Sequence, residues 1–276
     1  MFYYNLLTDL SLLQKFAAAL DGKMPAPQTF GVFHFICLAL VLTACVVVCL
    51  TCRKISDKQY DLFLAITATV LILLELYKQF NFSYDWETDT WSYSWYAFPF
   101  QFCSTPLYVL PLALIFRKKQ KIRDALRAFF ATYALFAGLA VMIYPGNVYV
   151  ETIGINLQTM IHHGSMLIVG VLTFASGKAK AAHTTVLKAL PVFLIAASVA
   201  LLLNVLFYNF VDPTQGFNMF FISPYETCSL PILDKIQTLV PYPVFLLVYL
   251  VGFTAAGYLI SLPVILIKNK QKEEIL

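Results

Sequence analysis

The sequence predicts an all-α polytopic membrane protein: seven transmembrane helices preceded by an N-terminal interfacial helix. Three observations carry that expectation. Of 276 residues, 60% are hydrophobic and only 12% charged, about half the charged share of an ordinary soluble chain. Mean hydropathy is +0.74, more apolar surface than a soluble fold of this size can bury. Seven stretches carry the roughly 20 mostly apolar residues that a helix needs to cross a bilayer. The short alternating segments of a membrane β-barrel are absent. A net charge of +4 excludes the strongly basic surface of a nucleic-acid binder, and six cysteines are too few for a disulfide scaffold.

In residues 1–28, Leu6, Leu7, Leu10, Leu13 and Phe16 recur at helical spacing among polar residues. That pattern fits an amphipathic helix lying in the membrane interface. No basic start or small-residue cleavage site marks a secretory signal. Residues 29–267 form the expected transmembrane domain, with spans over 29–52, 60–80, 96–116, 125–145, 152–176, 186–210 and 241–267. Residues 268–276 are expected as a basic cytoplasmic tail. The connection 81–95 holds Trp86, Trp91 and Trp95, whose amphipathic rings suit the headgroup layer or a lid over a ligand. The connection 211–240 is the longest. Pro213, Gly216, Pro224 and Pro231 punctuate an otherwise apolar run, which reads as a partly re-entrant cap. No internal repeat supports an inverted-repeat transporter.

Lysine and arginine orient the bundle. Of 19 such residues, 15 fall on one side: Arg53, Lys54 and Lys58; Arg117, Lys118, Lys119, Lys121, Arg123 and Arg127; Lys178, Lys180 and Lys188; Lys268, Lys270 and Lys272. Lys15, Lys23 and Lys235 fall on the other, and Lys78 lies inside span two. With seven spans, this places the N-terminus outside, the C-terminus in the cytoplasm, and the chain as a multi-pass protein of the cell membrane.

Ionisable and amide groups inside a span are costly and tend to face the bundle interior. Here they converge on the outer half. Glu75 and Lys78, three apart on span two, can pair. Gln101 and Cys103 lie about 10 Å below the outer boundary at 1.5 Å per residue. Asn156, Thr159, His162 and His163 enter on span five and Asn204 on span six, with Asn218 in the cap. The inner half offers no comparable set, so one polar cavity opening outward is expected. Pro99, Pro106 and Pro111 bracket Cys103. They release the carbonyls of Trp95, Phe102 and Leu107 from helical bonding and predict a kink. His162 and His163 point about 100° apart, so one faces the cavity. His163 shares its stripe with Asn156 and Thr159 and is favoured. Cys45, Cys49 and Cys52 read as small apolar residues; Cys228 has no loop partner; His34 and His183 read as solvated or interfacial. Phosphate-binding loops, GxSxG, HExxH and CxxC motifs are absent.

Several motifs resemble a known family. They are Phe98-Pro99-Phe100-Gln101-Phe102-Cys103, His162-His163-Gly164, Asn204 followed by Asn218-Met219-Phe220, and Pro241-Tyr242-Pro243. Together they resemble the YwaF-like integral membrane family, related to an animal group of transmembrane lipid acyltransferases with an intramembrane cysteine and histidine. Several relatives carry a histidine in the segment before the cysteine. Gln101 stands there in this chain and cannot act as a base. The resemblance implies acyl transfer through a Cys103 thioester, with phospholipid or lysolipid of the outer leaflet as substrate and no metal or cofactor. His163 would be the base, Lys78 would favour the thiolate, Glu75 would orient either one, and Gln101 or Asn204 would bind the oxyanion. Two other readings stand beside it. One is a lipid or solute transporter or binding protein with a Glu–Lys–His cavity. The other is a non-catalytic membrane subunit whose polar residues only join helices and whose protein partner the sequence does not name.

Overall fold

The computed structural model describes residues 10–146 and 148–273 and shows an all-α polytopic membrane protein. The helices are α1 (Leu12–Leu20), α2 (Val32–Thr51), α3 (Asp57–Ser83), α4 (Pro106–Ile115), α5 (Gln120–Ile143), α6 (Ile153–Ala175), α7 (Thr185–Phe210), α8 (Leu233–Leu239) and α9 (Tyr242–Glu273). Six of them, α2, α3, α5, α6, α7 and α9, are long and apolar enough to cross a membrane. The only β-structure among the described residues is a hairpin, Tyr84–Asp85 with Thr90–Trp91, and one isolated bridge, Lys23 with Thr152.

The expected helix over 96–116, kinked at its prolines, forms only in its second half. Its first half is two short 3₁₀ turns, Trp95–Ala97 and Phe102–Ser104, joined by extended chain. Only Pro106–Ile115 is α-helical. Ten residues rise about 15 Å, half of a hydrocarbon core about 30 Å thick. The cause is proline placement. Pro99 and Pro106 remove two donors in one stretch, and Phe98, the residue before Pro99, is held out of helical geometry at ψ 131°. Pro106 then sits at the first helical position, where a missing N–H costs nothing. The segment still runs the length of α3. Gln79, near one end of α3, bonds the carbonyl of Ala97, while Leu114 and Arg117 share a cavity with Asp57 and Asp61 at the other end. The segment therefore runs alongside α3, half of it unwound. The end carrying the basic connections is called the basic end below, and the opposite end the far end.

Helices α5 and α6 form the centre, with 72% of each apolar window buried against 17% for α2 and α9. Glycines let them approach closely, as is common where membrane helices pack. A Cβ on Gly138 would lie 2.7 Å from the His163 carbonyl, and one on Gly170 would lie 2.7 Å from the Phe130 carbonyl. Between them α5 widens into a π-helical turn, Phe130–Ala134, that is wholly buried. Phe193 of α7 and Tyr249 and Phe253 of α9 stack across the same core.

The N-terminal segment is anchored at the far end. Ser11 and Gln14 form a capping box on α1. Leu12 and Phe16 stay exposed, while Leu6 and Leu7 of the expected stripe lie outside the described residues. Asp21 accepts from Trp86 Nε1 and Thr152 Oγ1, both at 3.1 Å, and pairs with Lys23 at 2.7 Å. Burial alone would raise the Asp21 carboxyl, but bonds from Lys23, Trp86 and Thr152 outweigh it and hold it below its ordinary range. Of the three tryptophans, Trp86 thus docks α1, Trp95 packs 4.8 Å from Phe207, and Trp91 stays mostly exposed. The expected basic tail continues α9 unbroken as far as Glu273.

The α5–α6 contact gives the first prediction. Gly138→Ala inserts a methyl against backbone that cannot yield, and overpacking of this kind costs about 1–3 kcal/mol. Thermal unfolding in detergent should show a lower melting temperature. An unchanged melting temperature would show that the two helices can separate freely.

Candidate functional site around the unwound segment

A chain unwound inside a membrane exposes backbone groups that no water can satisfy. Of the amides and imidazoles singled out in the sequence, His162 meets that need here, together with Gln79, Tyr108 and Thr105. Gln79 Nε2 donates to the Ala97 carbonyl at 2.7 Å. Tyr108 Oη donates to the Pro99 carbonyl. Thr105 Oγ1 donates at 2.8 Å to the Phe102 carbonyl, the group released by Pro106. His162 Nε2 donates to the Cys103 carbonyl at 2.9 Å. Because a carbonyl can only accept, that ring nitrogen carries the hydrogen and Nδ1 keeps a lone pair. His162 Nδ1 is buried without a hydrogen-bond partner among the described residues.

The cap over 211–240 re-enters the bundle as expected, and the same residues clamp it. Gln101 Nε2 donates to the Asn218 carbonyl and Gln101 Oε1 accepts from the Phe220 N–H, both at 2.9 Å. Asn204 grips Met219 twice, at 2.7 Å through its N–H and 3.0 Å through its carbonyl. Asn218 accepts from Ser223 N–H and donates to the Thr227 carbonyl. Phe220 and Phe221, at φ 58° and 57°, occupy the left-handed region that bulky residues avoid. This amide clamp holds them there, and Phe220 buries its ring against Phe100 and Phe102. Gln101 and Asn204, offered above as oxyanion donors, are both committed to the cap.

Three further expectations change. The histidine that reaches the Cys103 segment is His162; His163 Nδ1 donates to the Thr159 carbonyl within its own helix at 2.8 Å. Asn156 is set apart from the cysteine. Its side chain bonds the Val150 N–H and carbonyl at 2.9 and 2.7 Å and closes the loop before α6. The polar groups do not line one polar cavity, since most of them are spent on backbone. The cavity beside Cys103 is apolar instead. It holds about 330 Å³ and is walled by Phe136, Val141, Phe221, Leu230 and Phe253, with Gln101, Cys103 and Tyr249. The Tyr249 hydroxyl, buried mid-bundle, has no hydrogen-bond partner among the described residues. It lies on the same wall as the Cys103 thiol. Sequence reading missed it because a tyrosine in a long apolar helix looks like packing.

The basic end holds a charged network that the sequence reading did not resolve. Helix α5 begins at Gln120, so Arg127 lies within it and is buried. Its guanidinium meets Asp57 at 3.1 Å and Asp61 at 3.8 Å and sits 4.9 Å above the Tyr60 ring. Lys178 joins Asp57 at 2.8 Å, and Tyr60 bonds Thr173 at 2.7 Å. An i, i+3 glance at Asp57 and Tyr60 on one helix face is the signal that was available. His34 is fully buried rather than interfacial. It accepts from the Phe30 N–H and donates to the Met142 carbonyl at 2.8 Å, tying α2 to the end of α5.

Glu75 and Lys78 do pair, at 2.9 Å, with side chains only 9% and 17% exposed. Gln79 also donates to Glu75, at 2.7 Å, so the pair is part of the scaffold beside Ala97. Removing one partner leaves a poorly solvated charge, which costs on the order of a few kcal/mol. Lys78→Met should therefore lower the melting temperature more than Lys78→Met combined with Glu75→Gln. A double variant less stable than the single one would rule out that dependence.

Comparison with known proteins gives one match. No curated protein and no solved structure matches the chain. The family model described as the TMEM164 family matches residues 29–261. That span runs from just before α2 into the second half of α9 and includes Cys103, His162 and the cap. It is a match to an animal transmembrane family, and it does not extend to the YwaF-like subgroup. With most of its length matched, the chain belongs to the TMEM164 family of membrane proteins.

Proposed function

We propose that this protein moves acyl chains between membrane lipids through a thioester on Cys103. The supporting observation is the wall that Cys103 and Tyr249 share in an apolar cavity, with His162 bonded to the cysteine's own carbonyl. Apolar walls suit an acyl chain. The thiol, the imidazole and the free hydroxyl are the three groups that acyl transfer needs.

In the first step the Cys103 sulfur attacks the carbonyl carbon of a phospholipid ester, and His162 takes the thiol proton. Tyr249 Oη donates a hydrogen bond to the oxyanion. The ester C–O bond breaks, the lysolipid oxygen takes the proton from His162, and the thioester remains. In the second step the hydroxyl of an acceptor lysolipid attacks the thioester while His162 takes its proton. The proton returns to sulfur as the C–S bond breaks. The chemistry uses no metal or cofactor. Negative charge develops within a turn of the start of α4, the positive end of that helix's dipole. By the positive-inside rule the far end faces outward. The lipid then comes from the outer leaflet of the cell membrane.

A second reading, lipid binding without chemistry, draws on another apolar cavity. It holds about 520 Å³, shares Gln101 as a wall, and follows α4 between Leu112, Phe116, Ile122, Val192 and Ile195.

Purified protein given a phospholipid with a fluorescent acyl chain and a lysolipid acceptor separates the two. Acyl transfer requires a labelled wild-type protein and a labelled product, both lost in Cys103→Ala. Tyr249→Phe should slow transfer about 10²–10³-fold, as for the loss of one oxyanion donor. His162→Gln keeps the donor to the Cys103 carbonyl but removes the base, and should slow transfer about 10²–10⁴-fold. Unchanged melting temperatures would show that the fold survives. Full transfer by Cys103→Ala would sink the proposal. A wild type that binds the lipid and never transfers its chain would leave the binding reading.

A further inference from the structure

The charged network at the basic end borders a cavity of about 660 Å³ that the acyl-transfer reading does not use. Its floor is electrically spent. Asp57 and Asp61 face Arg127, and Asp57 also takes Lys178, so two carboxylates meet two cations. The rim is not balanced in this way. Lys58, Arg117, Lys118 and Arg123 all line it. Of these four, Arg123 alone has a carboxylate partner, Asp124 at 3.8 Å. Among the described residues, no carboxylate lies within 4.0 Å of Lys58, Arg117 or Lys118. The Arg123 Nε is buried without a hydrogen-bond partner, and its Nη1 donates to the Arg117 carbonyl at 3.3 Å, which holds two rim arginines together.

The remaining wall is apolar: Leu62 and Ala65 of α3 and Leu114 of α4. Leu62 is 60% exposed on the outside of the bundle, where lipid tails lie. A free anion would gain nothing from that wall, and an acidic peptide would have to leave water to reach it. A phosphodiester with hydrocarbon attached matches both halves. Basic pockets between helices at this membrane level suit anionic headgroups, and arginine pairs suit phosphate oxygens.

We propose that this cavity binds an anionic phospholipid from the leaflet at the basic end. The phosphate rests on Arg117, Lys118, Arg123 and Lys58, and the upper acyl chain lies along Leu62 and Leu114. The site lies beyond the unwound segment and does not depend on the chemistry at Cys103.

The full chain in uncharged detergent, titrated with phosphatidylglycerol or phosphatidylcholine and read by native mass spectrometry, tests this. The wild type should hold phosphatidylglycerol at least tenfold more tightly. Replacing Arg117, Lys118 and Arg123 together by Gln should abolish that preference, whereas Lys235→Gln at the far end should leave it intact. Lys58→Gln with Lys118→Gln breaks no ion pair and should cost at least fivefold, which serves if the triple variant does not fold. Equal binding of the two lipids by the wild type overturns the proposal, as does a preference that survives in these variants. So does inorganic phosphate that displaces the lipid at equal concentration, because the wall would then contribute nothing.

Discussion

The constraint on which this structure depends is the need to satisfy unwound backbone where no water reaches. Pro99 and Pro106 break one crossing into extended chain, and every carbonyl left there must find a donor. The donors come from Gln79, Tyr108, Thr105 and His162. Such bonds are modest in net stability when made but cost about 1–3 kcal/mol each when a buried group is left alone. They therefore act as a set. The cap obeys the same rule. Its two left-handed phenylalanines persist because Gln101 and Asn204 accept and donate on both sides of Met219 and Phe220.

This changes what intramembrane polar residues signify here. Read one at a time, Gln101, Asn156 and Asn204 look like ligands around a site. Read by their partners, they are joints. What remains once the joints are subtracted is small: a thiol, a tyrosine hydroxyl and one imidazole nitrogen. An unsatisfied buried polar atom is rare in a folded protein and calls for an explanation. The Tyr249 hydroxyl and His162 Nδ1 are two such atoms. Neither could be assigned to the backbone accounting that explains the others.

Much of the fold was legible in the sequence because membrane crossing leaves a strong mark. Length of apolar run needs no tertiary knowledge. The pairing of Glu75 with Lys78 was legible for the same reason, since spacing on one helix decides it. The unwinding near Cys103 was half legible. Three prolines announced a kink, but whether helix resumes depends on distant donors such as Gln79 and His162. Arg127 was counted among the basic residues of one side although the span drawn from 125 contained it, because its partner Asp57 lies 70 residues away. His34 was misread because its acceptor, the Met142 carbonyl, lies 108 residues away. Period and composition describe a chain's neighbours along its length. They do not describe the neighbours that folding supplies.

The break in the third crossing also explains the placement of the two cavities near it. A continuous helix at 96–116 would fill its own groove with side chains on every face. Half a helix leaves room above its first turn, and the chain there is thin and extended. Cavities of about 330 and 520 Å³ lie along this segment and share Gln101 as a wall. Cys103 faces the smaller one alone. The larger follows α4 as far as Lys121, at the basic end. Two apolar spaces are thus divided by one extended strand of chain. A single helix of normal length could not provide that partition, and the amide clamp on the cap keeps it from collapsing.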